Sequence, residues 1–203
     1  MNQTDKIISI FQQYGGYART KELKHTTVHT RDIARLVREG MLEKVKPGLY
    51  RMADLPLTNG LPTSFIDVCQ AVPSGVICLL SALDYYDLST FNPSEIYVAL
   101  RHSAKLPKIE YPPIRKFFFR DRYYYYGIEE IKTAHGIVRI YNQEKSICDM
   151  FRYRNKLGED IALESLKNYL KRKESDINKL IEYAIQCHVK TIMLAYIKAM
   201  IAQ

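Results

Sequence analysis

The sequence predicts a mixed α/β (α+β) chain in two parts. A short basic segment of helices and one hairpin comes first, and a longer α/β region closed by helices follows. Three observations carry this reading. In the first forty residues apolar positions recur at helical spacing and are punctuated by glycines. Pro47-Gly48, set between two short runs, marks a β-hairpin. Beyond a proline- and glycine-containing stretch at 53–63, strand-like and helical runs alternate until residue 141, and only helical spacing persists after it.

The first helix is expected over Thr4–Tyr14. Ile7, Ile10, Phe11 and Tyr14 stand at i, i+3, i+4 and i+7, one helical face. Thr4 is placed to cap it, Asp5 favours its first turn, and Gly15-Gly16 ends it. Thr20 is placed to cap a short second helix, Lys21–Lys24. The third helix begins after His29. Val28 and Ile33 form a hydrophobic-staple pair there, and Asp32 is positioned to cap backwards. Gly40 ends this helix. At about 100° per residue, Arg31, Arg35 and Arg38 fall within about 60° of arc, opposite Ile33, Leu36 and Val37. Leu42–Lys46 and Leu49–Met52 then form the hairpin.

Helix, helix, basic helix and basic hairpin, in that order, predict a winged helix-turn-helix over residues 1–55. A helix packed on one face and lined with arginine on the other suits the DNA major groove, where guanine edges and phosphates accept hydrogen bonds. The predicted contacts to double-stranded DNA are Arg19, Lys21, Thr30, Arg31, Arg35, Arg38, Lys44, Lys46 and Arg51. Strand alternation turns Lys44 and Lys46 outward together if Val45 packs inward.

Charge is distributed unevenly over the 203 residues, whose formal net charge is +8. Residues 1–55 carry net +4, residues 56–100 net −4, residues 101–126 net +5 and residues 127–203 net +3. The two strongly positive blocks favour an anionic partner. In the second of them Arg101, Lys105, Lys108, Arg115, Lys116, Arg120 and Arg122 are candidates for an additional contact surface. The four cysteines stand far apart with no C-x-x-C pair, which favours buried reduced thiols over a zinc site or a disulfide framework. The five histidines lack metal-ligand spacing, and there is no glycine-rich phosphate loop. No cofactor, metal or membrane is expected. No signal peptide and a cytoplasmic location are the expectation.

In the second part, placed at residues 62–203, Phe65, Val68, Cys69 and Val72 mark a helix ended by Pro73. Val76–Cys78 reads as a buried strand and Ser81–Tyr86 as a helix. Strands are expected at Glu95–Leu100 and Ile114–Phe119. A hairpin is expected from Ile128–Thr133 and Ile137–Tyr141 around His135-Gly136. Helices are expected near 143–154, 160–172, 176–187 and 190–201. The run Arg120–Tyr126 mixes charge with tyrosine; it fits an amphipathic strand better than a platform for stacked bases. Asp121, Glu130 and Lys132 raise an alternative, a DNA-binding metal-dependent nuclease. Glu144 and Asp149 are best read as a helix-start acid and a salt-bridge partner one turn on.

The chain resembles the AbiEi antitoxins of bacterial type IV toxin–antitoxin systems. The likeness runs through Gly15–Leu23, Leu36–Glu43 and Gly48-Leu49-Tyr50, and resumes at Val72–Cys78 with Leu80–Leu83. It returns at Asn142–Asp149 and in the Gly158–Leu170 helix. The resemblance implies a non-enzymatic, two-function protein. Its N-terminal domain would repress its own operon by binding inverted repeats in the promoter. Its C-terminal domain would counteract a co-encoded nucleotidyltransferase-like toxin, with or without a stable complex, in abortive infection against phage. The basic block from Arg101 to Arg122 would then meet DNA or the toxin.

Overall fold

The computed structural model describes residues 3–23, 26, 28–56, 58, 60–104, 109 and 111–201. The chain folds as two compact units. The first comprises Met1–Pro73, Lys105–Ile114 and Ile131–Val138, and the second Ser74–Ala104, Arg115–Glu130 and Arg139–Gln203.

The first unit opens with α1 (Gln3–Gln13), β1 (Tyr17–Arg19), α2 (Thr20–Leu23) and α3 (Thr30–Arg38). The hairpin β2 (Leu42–Lys46) and β3 (Leu49–Met52) follows. The strands form an antiparallel sheet in the order β1-β3-β2, with Ala18 opposite Tyr50 and Glu43 opposite Arg51. Ile7 and Phe11 of α1, Leu23 of α2 and Ile33 and Leu36 of α3 pack with Ala18 and Leu42 into one core. This is the winged helix-turn-helix that the order of elements predicts. His29 is the N-cap of α3, and its N–H donates to Asp32 Oδ2 at 3.3 Å. Val28 and Ile33 both join the core there. Helix α2 starts one residue earlier than expected, because Glu22 Oε2 accepts from Arg19 N–H at 2.7 Å and closes its first turn. Gly48, at φ 76°, supplies the left-handed position that the wing's tight turn needs.

Helix α4 (Thr63–Ala71) is also part of the first unit, as is the tip of a later hairpin. In that tip His135 is buried. Its Nδ1 lies 2.7 Å from Gly15 O and its Nε2 lies 3.2 Å from Pro56 O. Its own carbonyl accepts from Gln70 of α4 at 2.7 Å.

The second unit is built around a five-stranded sheet in the order β6-β5-β4-β8-β7. Its strands are β4 (Val76–Ile77), β5 (Ile96–Arg101), β6 (Ile114–Phe119), β7 (Ile128–Thr133) and β8 (Gly136–Tyr141), of which residues 114, 131–133 and 136–138 belong to the first unit. Strand β4 pairs antiparallel with β5 and parallel with β8. Helix α5 (Leu79–Tyr85) follows β4 and α6 (Asp121–Tyr124) follows β6. The chain ends in α7 (Gln143–Leu157), α8 (Glu159–Leu170), α9 (Ile177–Gln186) and α10 (Lys190–Ile201). Their apolar faces and the sheet share one core that includes Val76, Leu83, Phe119, Tyr141, Ile147, Phe151, Leu166, Leu180 and Met193. All four cysteines are buried.

One element differs from expectation. The run Arg120–Tyr126 holds a helical turn, α6, and not a strand. Tyr123 and Tyr124 are both buried, which adjacent residues of a strand, pointing to opposite faces, could not both achieve against one core.

Candidate nucleic-acid interface

Helix α3 owes its orientation to Ile33 and Leu36, which are buried in the first core. The opposite face is open. Thr30, Arg31, Ala34 and Arg38 are all exposed. Ala34 was not singled out by sequence reasoning, which looked for charge. At about 100° per residue it falls between Thr30 and Arg38. A methyl at that position lets a helix approach a base edge closely and suits the thymine methyl group.

The structure divides the predicted contact residues. Arg31, Arg38, Lys21 and Lys44 are exposed and hold no side-chain hydrogen bond or ion pair among the described residues. The other four cations are committed inside the unit. Arg35 pairs with Glu39 at 3.2 Å and donates to Thr4 Oγ1 at 3.1 Å, tying α3 to the start of α1. Arg19 donates to Gln70 O at 2.8 Å. Lys46 Nζ donates to Ala71 O at 2.6 Å. Arg51, only 11 % exposed, pairs with Glu43 at 2.6 Å and with Asp67 at 3.2 Å.

Lys46 departs from the strand alternation that would turn it outward beside Lys44. The register shifts between Lys44 and Lys46, and this irregularity brings Lys46 towards the end of α4. Burial, with the Arg19 charge nearby, pulls its ammonium below the ordinary lysine value. At the other end of this cluster Asp67 accepts from Tyr17 Oη at 2.8 Å. Burial raises the Asp67 carboxyl above the usual carboxylate range despite Tyr17 and Arg51. Helix α4 thus anchors the wing by its back side and leaves Lys44 at its front.

Of the second group of candidates, Arg101 pairs with Asp121 at 3.0 Å and Arg115 donates to Tyr97 Oη at 2.9 Å. Arg122 lies over the Tyr123 ring. Lys116 and Arg120 are exposed. Lys105 and Lys108 lie outside the described residues.

The nuclease trio is not drawn into one site by any ion pair or hydrogen bond. Asp121 is held by Arg101, and Glu130 sits 3.6 Å from Arg139. Among the described residues no group of three His, Cys, Asp or Glu side chains converges as a metal site. The acidic residues of α7 are likewise occupied. Asp149 forms a fully buried ion pair with Lys145 and a second pair with Arg152 at 3.1 Å. The Lys145 ammonium also faces the rings of Tyr141 and Phe119, at 4.3 and 4.9 Å. Glu144 accepts from Tyr169 Oη at 2.8 Å and pairs with Lys179 at 3.0 Å. These contacts join α7 to its neighbours in the second core.

The segment holding the open helix face has a match among known families. Residues 5–53 match the family model described as transcriptional regulator, AbiEi antitoxin. The match supports an AbiEi-type antitoxin, a transcriptional regulator of an abortive-infection system, and its bounds are those of the winged helix-turn-helix. AbiEi antitoxin regulators are generally non-enzymatic. No curated protein matches the chain. Among the described residues no helix is long and apolar enough to cross a membrane.

Proposed function

We propose that this chain is a DNA-binding antitoxin that represses its own operon through inverted repeats in the promoter. In this reading it also counteracts a co-encoded nucleotidyltransferase-like toxin in the cytoplasm, and it has no catalytic activity of its own. DNA binding is assigned to residues 1–55 and toxin neutralisation to residues 62–203. The observation that carries the DNA assignment is the open face of α3. Thr30, Arg31, Ala34 and Arg38 are exposed there, while Ile33 and Leu36 fix the helix from behind. Arg31 and Arg38 are the base- or phosphate-contacting arginines, with Lys21 and Lys44 on the flanking backbone. Arg35, Arg19, Lys46 and Arg51 act as positioning residues that hold α3 and the wing in place.

The test has two arms. Gel shifts compare duplexes from the chain's own upstream region with scrambled duplexes of equal length. Tight, salt-sensitive binding to the first alone is the expected result, and equal binding to both would overturn autorepression. Co-expression with the neighbouring toxin gene then tests neutralisation. Failure of the full chain to rescue growth would overturn the antitoxin half.

A further inference from the structure

The outer face of β6 carries an aromatic and basic stripe that neither the winged domain nor the second core uses. Alternation along β6 sends Phe117 and Phe119 into the core. The same alternation turns Lys116, Phe118 and Arg120 the other way, and all three are exposed. Phe118 is 43 % exposed, a large apolar ring standing between two cations. The exposed ring of His102 meets it edge-on, with centroids 6.5 Å apart. Asp121, the acidic residue next along the chain, is paired with Arg101 and so does not oppose the stripe. Successive residues on one face of a strand are spaced by about 7 Å. A flat ring flanked at that spacing by cations matches a base flanked by phosphates.

Duplex DNA offers phosphates to such a stripe but hides the faces of its bases. A single strand offers both, and stacking on exposed aromatics is how single strands are held without sequence preference. The strand edge adds a preference for ribose. Among the described residues β6 is at the margin of its sheet. Phe119 O accepts from His102 N–H, toward β5. The main-chain groups of Lys116 and Phe118, in alternate register with Phe119, therefore point away from β5. A 2′-hydroxyl both donates and accepts, so it can pair with such a N–H or C=O; deoxyribose cannot.

We propose that this face of β6 binds single-stranded RNA, with Phe118 as the stacking platform, His102 buttressing it and Lys116 and Arg120 holding phosphates. The inference does not depend on the operator-binding reading, because it concerns the second unit alone.

The experiment exploits a feature of the composition, since the chain contains no tryptophan. Phe118→Trp creates a single indole at the centre of the stripe. Titration of the full-length F118W protein with a uridine 12-mer should quench its emission as bases stack. Fluorescence anisotropy with labelled oligomers should give tighter binding to the uridine 12-mer than to the thymidine DNA 12-mer. F118A should weaken RNA binding by about 5- to 140-fold, the equivalent of roughly 1–3 kcal/mol per stacked base. Neutralising Lys116 and Arg120 together should flatten the salt dependence by about 0.7 per lost phosphate contact. Operator gel shifts with F118A should be unchanged, which separates this site from the winged domain. Unquenched F118W emission, or F118A binding RNA like the wild type, would overturn the proposal. Equal or tighter binding of the thymidine 12-mer would overturn it as an RNA site.

Discussion

The division of the arginines and lysines into exposed and internally committed sets makes a quantitative prediction about salt. Eight cations were predicted to touch DNA from sequence. If every one met a phosphate, log K would fall with log salt at a slope of about −7 per protomer, taking about 0.9 per neutralised phosphate. The structure leaves Lys21, Arg31, Arg38 and Lys44 exposed and without partners among the described residues, and engages Arg19, Arg35, Lys46 and Arg51 within the unit. The expected slope is therefore about −3.6 per protomer. Single substitutions sharpen the contrast. Lys44→Ala should lower the slope by about 0.9 and weaken specific and scrambled duplexes alike. An arginine of α3 that reads a guanine should cost about 1–3 kcal/mol on the specific duplex alone when changed to alanine. Arg35→Ala should behave differently. It loses an exposed ion pair and one hydrogen bond to Thr4, together about 1–2 kcal/mol of folding stability, and leaves the salt slope intact. The assay is fluorescence anisotropy on an operator duplex from 50 to 300 mM potassium chloride, with urea melts of each variant. A wild-type slope near −7, or an equal fall in slope for Arg35→Ala and Lys44→Ala, would refute the assignment of roles.

Three further outcomes follow from the packing. Lys145→Met leaves Asp149 buried with only Arg152 as its charge partner, so urea melts should show a loss of about 3–5 kcal/mol. Adding Asp149→Leu should recover much of that loss, and an additive double mutant would contradict this account. Gly127→Ala places a methyl 2.8 Å from both the Lys145 Cβ and the Tyr183 ring at φ 82°, and should cost about 2–5 kcal/mol. A melt within error of wild type would show that the turn relaxes freely. For Asp67, the folded carboxyl is raised above its unfolded value, chiefly by burial. Its contribution is therefore fully present below the usual carboxylate range and lost as pH rises through the raised value. Asp67→Asn should remove that part of the pH dependence, so the stability difference between variant and wild type should change across this window. A constant difference would refute the raised carboxyl.

Much of the winged domain was legible because its signals are local. Gly15-Gly16, Asp32 three residues after His29, and Pro47-Gly48 each act on backbone within a few residues, and each appears where its position implies. The helical ends of the second part were legible for the same reason, through repeated apolar spacing. The Arg120–Tyr126 run was misread because its four consecutive tyrosines after Arg120-Asp121-Arg122 carry the aromatic composition that favours strands. What selects the helical turn is the joint burial of Tyr123 and Tyr124 against residues far along the chain.

The roles of the cations were not legible, and the reason is physical. Arg31 and Arg35 have the same chemistry and nearly the same helical azimuth; they differ in the company they meet. Arg35 finds Glu39 one turn on and Thr4 of α1, whereas Arg31 finds neither. Lys46 and Arg51 lie on wing strands that sequence patterns mark as DNA-facing, yet each takes a partner from α4, beyond the segment that matches the family. Asp67 carries no positional signal as a lone acid in an apolar run. Once α4 is in place, it is the carboxylate that holds both Tyr17 of β1 and Arg51 of β3. The wing's geometry therefore depends on residues 63–71 as well as on its own hairpin. A winged domain of this kind presents its outward charges correctly only while its inward ones stay committed, so affinity for DNA should depend indirectly on residues that never touch it.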